Sequence, residues 1–339
     1  MAAGASRDTR ALSAGLAGLA LCLLLVCGLS IAVGSRSIDF SVVVDALGGH
    51  AQNSTEQTVV NVIRVPRTLL GLLVGAALGL SGALLQGMTR NPLADPSIMG
   101  LSAGAAAFVV LGISVLDIRD LGGYVWLAFA GTAVAAVLVY GVASFGREGA
   151  TPIKLALAGA AVAAGLWSVT TGVVMTDVDA LDQIRFWQVG SLAGRNMPVL
   201  EQVAPFLAIG IVLALVCGRA LNGIALGDST ARALGQRVEA TRALILVAVT
   251  VLCGAATAAC GPIVFVGLVV PHVARAICGP DYRWILPYCL LLAPAIFLVC
   301  DVLGRIVLAP GELEVGVVMG VLGAPFFIAL VRYRNLAEL

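Results

Sequence analysis

An all-α, polytopic membrane fold with about ten transmembrane helices is predicted by three observations. Hydrophobic residues make up 60% of the 339-residue chain and charged residues 12%, with a mean hydropathy of +1.03; that is more apolar surface than one soluble core can bury. The stretches 12–34, 68–89, 96–116, 121–144, 155–176, 202–218, 243–271, 284–300 and 315–331 contain no Asp, Glu, Lys, Arg or His. Most are long enough to cross the hydrocarbon core of a bilayer. Finally, 40 glycines suit helices that approach closely in lipid, where small residues let backbones touch. Gly71, Gly75 and Gly79, four apart on one helical face, are expected to pack in this way.

The run 11–34 follows Arg7 and Arg10 and is too long for a signal-peptide core, so it reads as a first span with the N-terminus inside. Alternation then puts 35–67, 117–120, 177–197 and 301–314 outside. Segments 88–95, 145–154, 219–242, 275–283 and 332–339 fall on the cytoplasmic side, where most of the 20 Lys and Arg residues lie. Both termini are therefore expected in the cytoplasm, and residues 1–339 form one transmembrane domain. The stretch 243–271 is too long for one span. Gly261, Pro262, Gly267 and Pro271 predict a break near Gly261–Pro262 into two helices; a kink in a single tilted helix is the alternative.

Two extramembrane segments carry signals of their own. Between Arg219 and Arg242, Asp228 or Ser229 can cap a short helix through Thr230, Ala231 and Leu234, which Gly235 ends in a left-handed conformation. Such an element is either a docking knob or a solvated loop with one turn of helix. In the outer segment 177–197, Phe186 and Trp187 suggest a helix lying at the membrane interface.

The remaining features exclude several functions. A net charge of +1 gives no pull toward nucleic acid. The only lysine, Lys154, lies between Ile153 and Leu155, so no phosphate-cradling loop is present. There is no nucleophile elbow, paired-carboxylate site or HExxH helix, so no catalytic residue is assigned and the chain is not read as an enzyme. The eight cysteines lack CxxC spacing and read as small hydrophobes. His50 sits in a polar loop, and His272 near a helix end suits a structural hydrogen bond. No metal site or cofactor is expected. Helices without a proton carrier imply that uphill transport would draw its energy from another polypeptide. An Na⁺-coupled secondary transporter using backbone carbonyls, or a non-transporting scaffold, are the alternatives.

Residues 64–106, RVPRTLLGLLVGAALGLSGALLQGMTRNPLADPSIMGLSAGAA, resemble the FecCD-type permeases of binding-protein-dependent ABC importers for iron–siderophores, haem and vitamin B12. FWQVGSL at 186–192, ALNGIALGDSTARALG at 220–235, GPIVFVGLVVPHVAR at 261–275, and DVLGR, PGELEVGVV and LGAP between 301 and 325 follow in order. The overall look is most like the ferric-enterobactin permeases. The resemblance implies a type II ABC importer permease fold in the cell inner membrane. It implies two permease subunits, a heterodimer favoured over a homodimer, with two cytoplasmic ATPase subunits and an external solute-binding protein. The implied cargo is a ferric siderophore, with vitamin B12 or haem as alternatives.

The resemblance also implies roles for particular residues. Leu226, Gly227, Asp228, Ser229, Thr230, Ala231, Arg232, Leu234 and Gly235 would dock on the ATPase, with Arg232 making a charge-assisted contact. Arg64, Arg67 and Arg305 would pair with glutamates of the binding protein at the pore mouth. Read without the family, Arg64 and Arg67 could instead anchor a helix at the interface, and Arg305 could pair with Asp301 one turn earlier. The pathway would be lined by about 145–176 and 312–331 and closed inside by 147–154. There Thr151 fits as a gate, while Pro152 and Ile153 depart from the family's small polar pattern.

Overall fold

Every regular element among the described residues is a helix, in a computed structural model that describes residues 9–35, 38–48, 55–97, 99–118, 120–145 and 151–333. The chain begins with α1 (Thr9–Ala32), α2 (Phe40–Leu47) and α3 (Thr55–Thr58), which runs through a π-helical stretch, Val59–Arg64, into α4 (Val65–Thr89). Then come α5 (Leu101–Leu116), α6 (Leu121–Ala143), α7 (Pro152–Thr176), α8 (Val178–Gln188) and α9 (Met197–Val216). The last part holds α10 (Gly218–Ala225), α11 (Asp228–Ala233), α12 (Val238–Cys260), α13 (Val266–Cys278), α14 (Tyr282–Val307) and α15 (Val315–Tyr333). Among the described residues seven helices are long and apolar enough to cross a membrane, and three shorter apolar ones lie at Leu101–Leu116, Val266–Cys278 and Val315–Ala329. Together they account for the expected ten.

The centre is α4, almost wholly buried, because its glycines let neighbouring backbones close in. Gly71 faces Leu298, Gly75 faces Pro294 and Gly79 faces Ala293, all on α14. One turn on, Gly82 meets the backbone of Gly267 on α13, and Gly104 of α5 meets Gly131 of α6 in the same manner. The stripe read from Gly71, Gly75 and Gly79 is thus a packing surface. By contrast α1 and α7 keep most of their apolar surface outward, as helices facing lipid or another subunit do. Six of the cysteines are buried.

The break at Gly261 is present. Helix α12 ends at Cys260, Gly261 (φ 77°) and Phe265 (φ 70°) turn the chain, and α13 starts at Val266. Gly261 suits this place because positive φ costs glycine nothing, and a Cβ there would overlap the carbonyl of Trp187. Single-helix continuity is therefore excluded.

Three expectations need correction. Helix α14 continues to Val307, so Asp301 and Arg305 lie on a helix rather than in a loop. The segment 88–95 is not wholly a surface loop: it turns inward so that Asp95 is buried, and beyond it Gly100 (φ 72°) packs on Gly159 and Ala163 of α7. His272 fastens that inward turn through Nε2 to the Pro92 carbonyl at 2.9 Å, the structural role expected of it. Trp187 does not lie in an interfacial belt; with Ala180 and Ile184 it forms the inward face of α8 and is 3% exposed, since positions 180, 184 and 187 share one side of a helix. The side chain of Phe186, and His50, lie outside the described set.

Candidate functional site at the two ends of the bundle

At one end, the three arginines singled out from the sequence come together. Arg67, on the first turn of α4, directs Nε and Nη2 to Asp301, the latter at 2.7 Å, and Nη1 to Glu312 at 2.6 Å. Arg305 pairs with the other Asp301 oxygen at 3.0 Å and donates to the carbonyls of Ser30 and Val33. Arg64 donates to the carbonyls of Ile31 and Ala32. Two guanidinium groups thus sit on the last carbonyls of α1, where the helix dipole favours positive charge. Ser30 Oγ shares a hydrogen bond with Thr68, and Ser35 donates to Glu312 at 3.0 Å.

All three arginines are at least nine-tenths buried, at 4%, 5% and 2% exposure for Arg64, Arg67 and Arg305. Their heads face this chain rather than outward. The Asp301–Arg305 pairing one turn apart is the arrangement read from the residues alone. Burial alone would favour a neutral Glu312, but hydrogen bonds from Arg67 and Ser35 and the charge of Arg305 hold its carboxyl below the ordinary range. Sequence reasoning missed Glu312, because its contact with Arg67 spans 245 positions.

At the other end, α10 and α11 project as a pair. Neither Asp228 nor Ser229 caps α11. Gly227 occupies the N-cap at φ 103°, and Asp228 is the first helical residue. Its carboxylate is taken instead by Arg242 of α12 at 2.9 Å and by Arg90, just past α4, at 3.6 Å. Helix α11 stops at Ala233, and Gly235 adopts the left-handed conformation expected of it (φ 82°). Ala231 is buried against the body, while Leu226 and Leu234 are 64% and 69% exposed. Arg232 reaches Glu239 at 2.7 Å within the chain.

Asn222 on α10 clamps the pair to α14. Its amide donates to Asp281 at 2.6 Å, and its carbonyl oxygen accepts from the Tyr282 N–H at 2.8 Å. Hydrogen bonds from Arg283 and Asn222, opposed by partial burial, bring the Asp281 carboxyl down to about 2. A depressed carboxyl stabilises the fold above its unfolded value and loses that contribution only as pH falls through the folded one. Protection of the Tyr282 and Arg283 amides, taken as exchange relative to the unstructured rate at each pH, is therefore expected to hold from pH 7 to about 4 and to fall between about 4 and about 2; loss of protection already above pH 4 would contradict this.

Thr151 serves as the N-cap of α7, accepting from the Lys154 N–H at 3.4 Å. Pro152, at N1, fits because its missing N–H is one that a helix start leaves unpaired. The neighbouring residues 146–150 lie outside the described set.

Ten apolar helices among the described residues, around a glycine-packed centre, with a charged cluster at one end and a short helical pair at the other, define a polytopic membrane protein. The profile of the FecCD transport family matches residues 21–333, and the chain belongs to that family. It is 46% identical over 332 residues to the ferric enterobactin transport system permease protein FepD of Escherichia coli (strain K12), covering 98% of each chain. Against the Fe(3+)-citrate import system permease protein YfmD of Bacillus subtilis (strain 168) it is 41% identical over 312 residues, 91% of this chain and 92% of the relative. A solved structure described as a metal-chelate type ABC transporter in an inward-facing conformation superposes with a TM-score of 0.83 at 28% identity, covering 94% of this chain and 99% of that one.

Proposed function

We propose that this chain is the membrane-spanning subunit of a binding-protein-dependent ABC importer that moves a ferric siderophore inward, using ATP hydrolysed by a separate subunit. The likeness to the ferric enterobactin permease along nearly its whole length carries this reading. On it, the α10–α11 end and both termini face the cytoplasm and the arginine end faces outward. A second, non-identical permease subunit completes the pathway, two ATPase subunits dock inside and a solute-binding protein docks outside.

The knob is suited to coupling because it is tied to three helices: α4 and α12 through Asp228, and α14 through Asn222. Closure of the ATPase pair would press on Leu226–Gly235 and shift those helices together. Leu226 and Leu234 are mostly exposed, so replacing both with Ala should leave the fold intact and weaken ATPase binding roughly 5- to 30-fold. Unchanged affinity in a pull-down titration with the purified ATPase would reject the docking role.

On the outer face, docking through Arg64, Arg67 and Arg305 requires a partner carboxylate to exchange with those already in place. Glu312, with 28% of its side chain exposed, is where exchange would start. Thr151, as a helix cap beside the inner closure, would gate by holding or releasing the first turn of α7. The function as a whole is tested by uptake into proteoliposomes holding both permease subunits, the ATPase and the binding protein, offered ferric catecholate, ferric hydroxamate, haem and cobalamin in turn. Accumulation of an iron–siderophore complex that stops without ATP is the expected result. Accumulation driven by an ion gradient alone would overturn it.

A further inference from the structure

Among the described residues only two carboxylates are buried, Asp301 and Asp95. Asp301 has two arginines. Asp95, at 7% exposure on the inward turn between α4 and α5, makes no ion pair with a described residue. Its Oδ1 accepts from the N–H and the hydroxyl of Ser97, at 2.9 and 2.5 Å. Its Oδ2 faces the first turn of α13, 3.0 Å from where a Cβ on Gly267 would stand. Leu78, halfway along α4, lines the same space, so the carboxylate sits at membrane depth. An ionisable group there calls for a partner.

The surroundings supply oxygen. Asp95, Ser97, Ser102 and Thr257 line one cavity of about 10 Å³, close to the ~10–15 Å³ that a single water-sized sphere occupies. Thr257, 3% exposed, lacks a bond that several other helical threonines make. Thr89, Thr132, Thr170, Thr241 and Thr250 each donate to the carbonyl four residues back. Thr257 shows no such bond, and it is one of the residues that line the cavity.

We propose that Asp95, with the hydroxyls of Ser97, Ser102 and Thr257, holds one sodium ion that ties the inward turn to α12 and α13. One carboxylate and neutral oxygens are hard ligands; a single negative charge balances a monovalent cation, while divalent sites gather more carboxylates. The ion would sit where α12 and α13 part, giving the broken segment a fixed point. The N-terminal amides of α13 also offer partial positive charge, and their sufficiency alone is the rival outcome.

The test needs neither ATPase nor binding protein, so its failure is separate from failure of the transport reading. The thermal unfolding midpoint of the full chain in detergent is followed as sodium chloride replaces choline chloride at fixed ionic strength. A saturable rise is expected for wild type. Thr257→Val, which keeps shape, should raise half-saturation roughly tenfold, and Asp95→Asn should remove the response. If Asp95→Asn fails to fold, Thr257→Val carries the test. A wild-type midpoint equal in sodium and choline, one that follows pH but not sodium, or an unchanged Thr257→Val curve would each overturn the proposal.

Discussion

Replacing Asp301 with Ala is expected to destabilise the protein by about 3–5 kcal/mol, since it strips the shared carboxylate from two guanidinium groups that water barely reaches. Arg67 and Arg305 are 5% and 2% exposed, and after the substitution only Glu312 would remain within bonding distance of Arg67. Asp301→Asn keeps the shape but not the charge, so it should lose most of the same stability. Glu312→Gln, at the edge of the cluster, should cost about 1 kcal/mol or less. Changing Asp301 and Arg305 together to Leu and Met should recover part of the loss, because it removes one of the two guanidinium groups that lose their carboxylate and leaves only Arg67, which keeps Glu312. The measurements are thermal midpoint and monodispersity in detergent. An Asp301→Ala midpoint equal to wild type would mean that the network contributes nothing.

Gly82→Ala should be comparably damaging for a steric reason. The added methyl would overlap the backbone of Gly267, and a backbone on a packed helix cannot rotate away as a side chain can. Overpacking of this kind costs about 3 kcal/mol or more when no rotamer relieves it. The matched control is Gly141→Ala on α6, where nothing lies within 4 Å of the new atom. That change should be neutral or stabilising by about 0.5–1 kcal/mol through helix propensity. Equal yields and midpoints for the two variants would show that α4 and α13 are not in the close contact described.

What could be read from the sequence depended on whether the cause was local. Gly261–Pro262 ends α12 because proline removes a donor and glycine accepts positive φ, and both facts are written in the residues. Gly235 was legible for the same reason. Asp228 and Ser229 both look like helix caps; that Asp228 is claimed by Arg242 and Arg90 depends on packing 14 positions away in one case and on another helix in the other. Charges at 301 and 305 look like a loop, yet their spacing of four lets them neutralise each other inside α14. Each arginine of the cluster stood out alone, but the Arg67–Asp301 pairing bridges 234 positions. Asn91–Asp95 has the composition of a surface turn, and nothing in that composition reports the burial of Asp95.

Helix α14 has Asn222 gripping its first residue and Asp301 near its far end, about 30 Å away at 1.5 Å per residue. It is not a stiff rod, because Pro287 and Pro294 interrupt it and each deletes a backbone donor. Pro294 rests on Gly75, a smooth seat with no side chain to catch. A stroke applied beneath Tyr282 would therefore bow the helix over that seat, so that the twin arginine clasp feels a tilt while its own contacts stay closed.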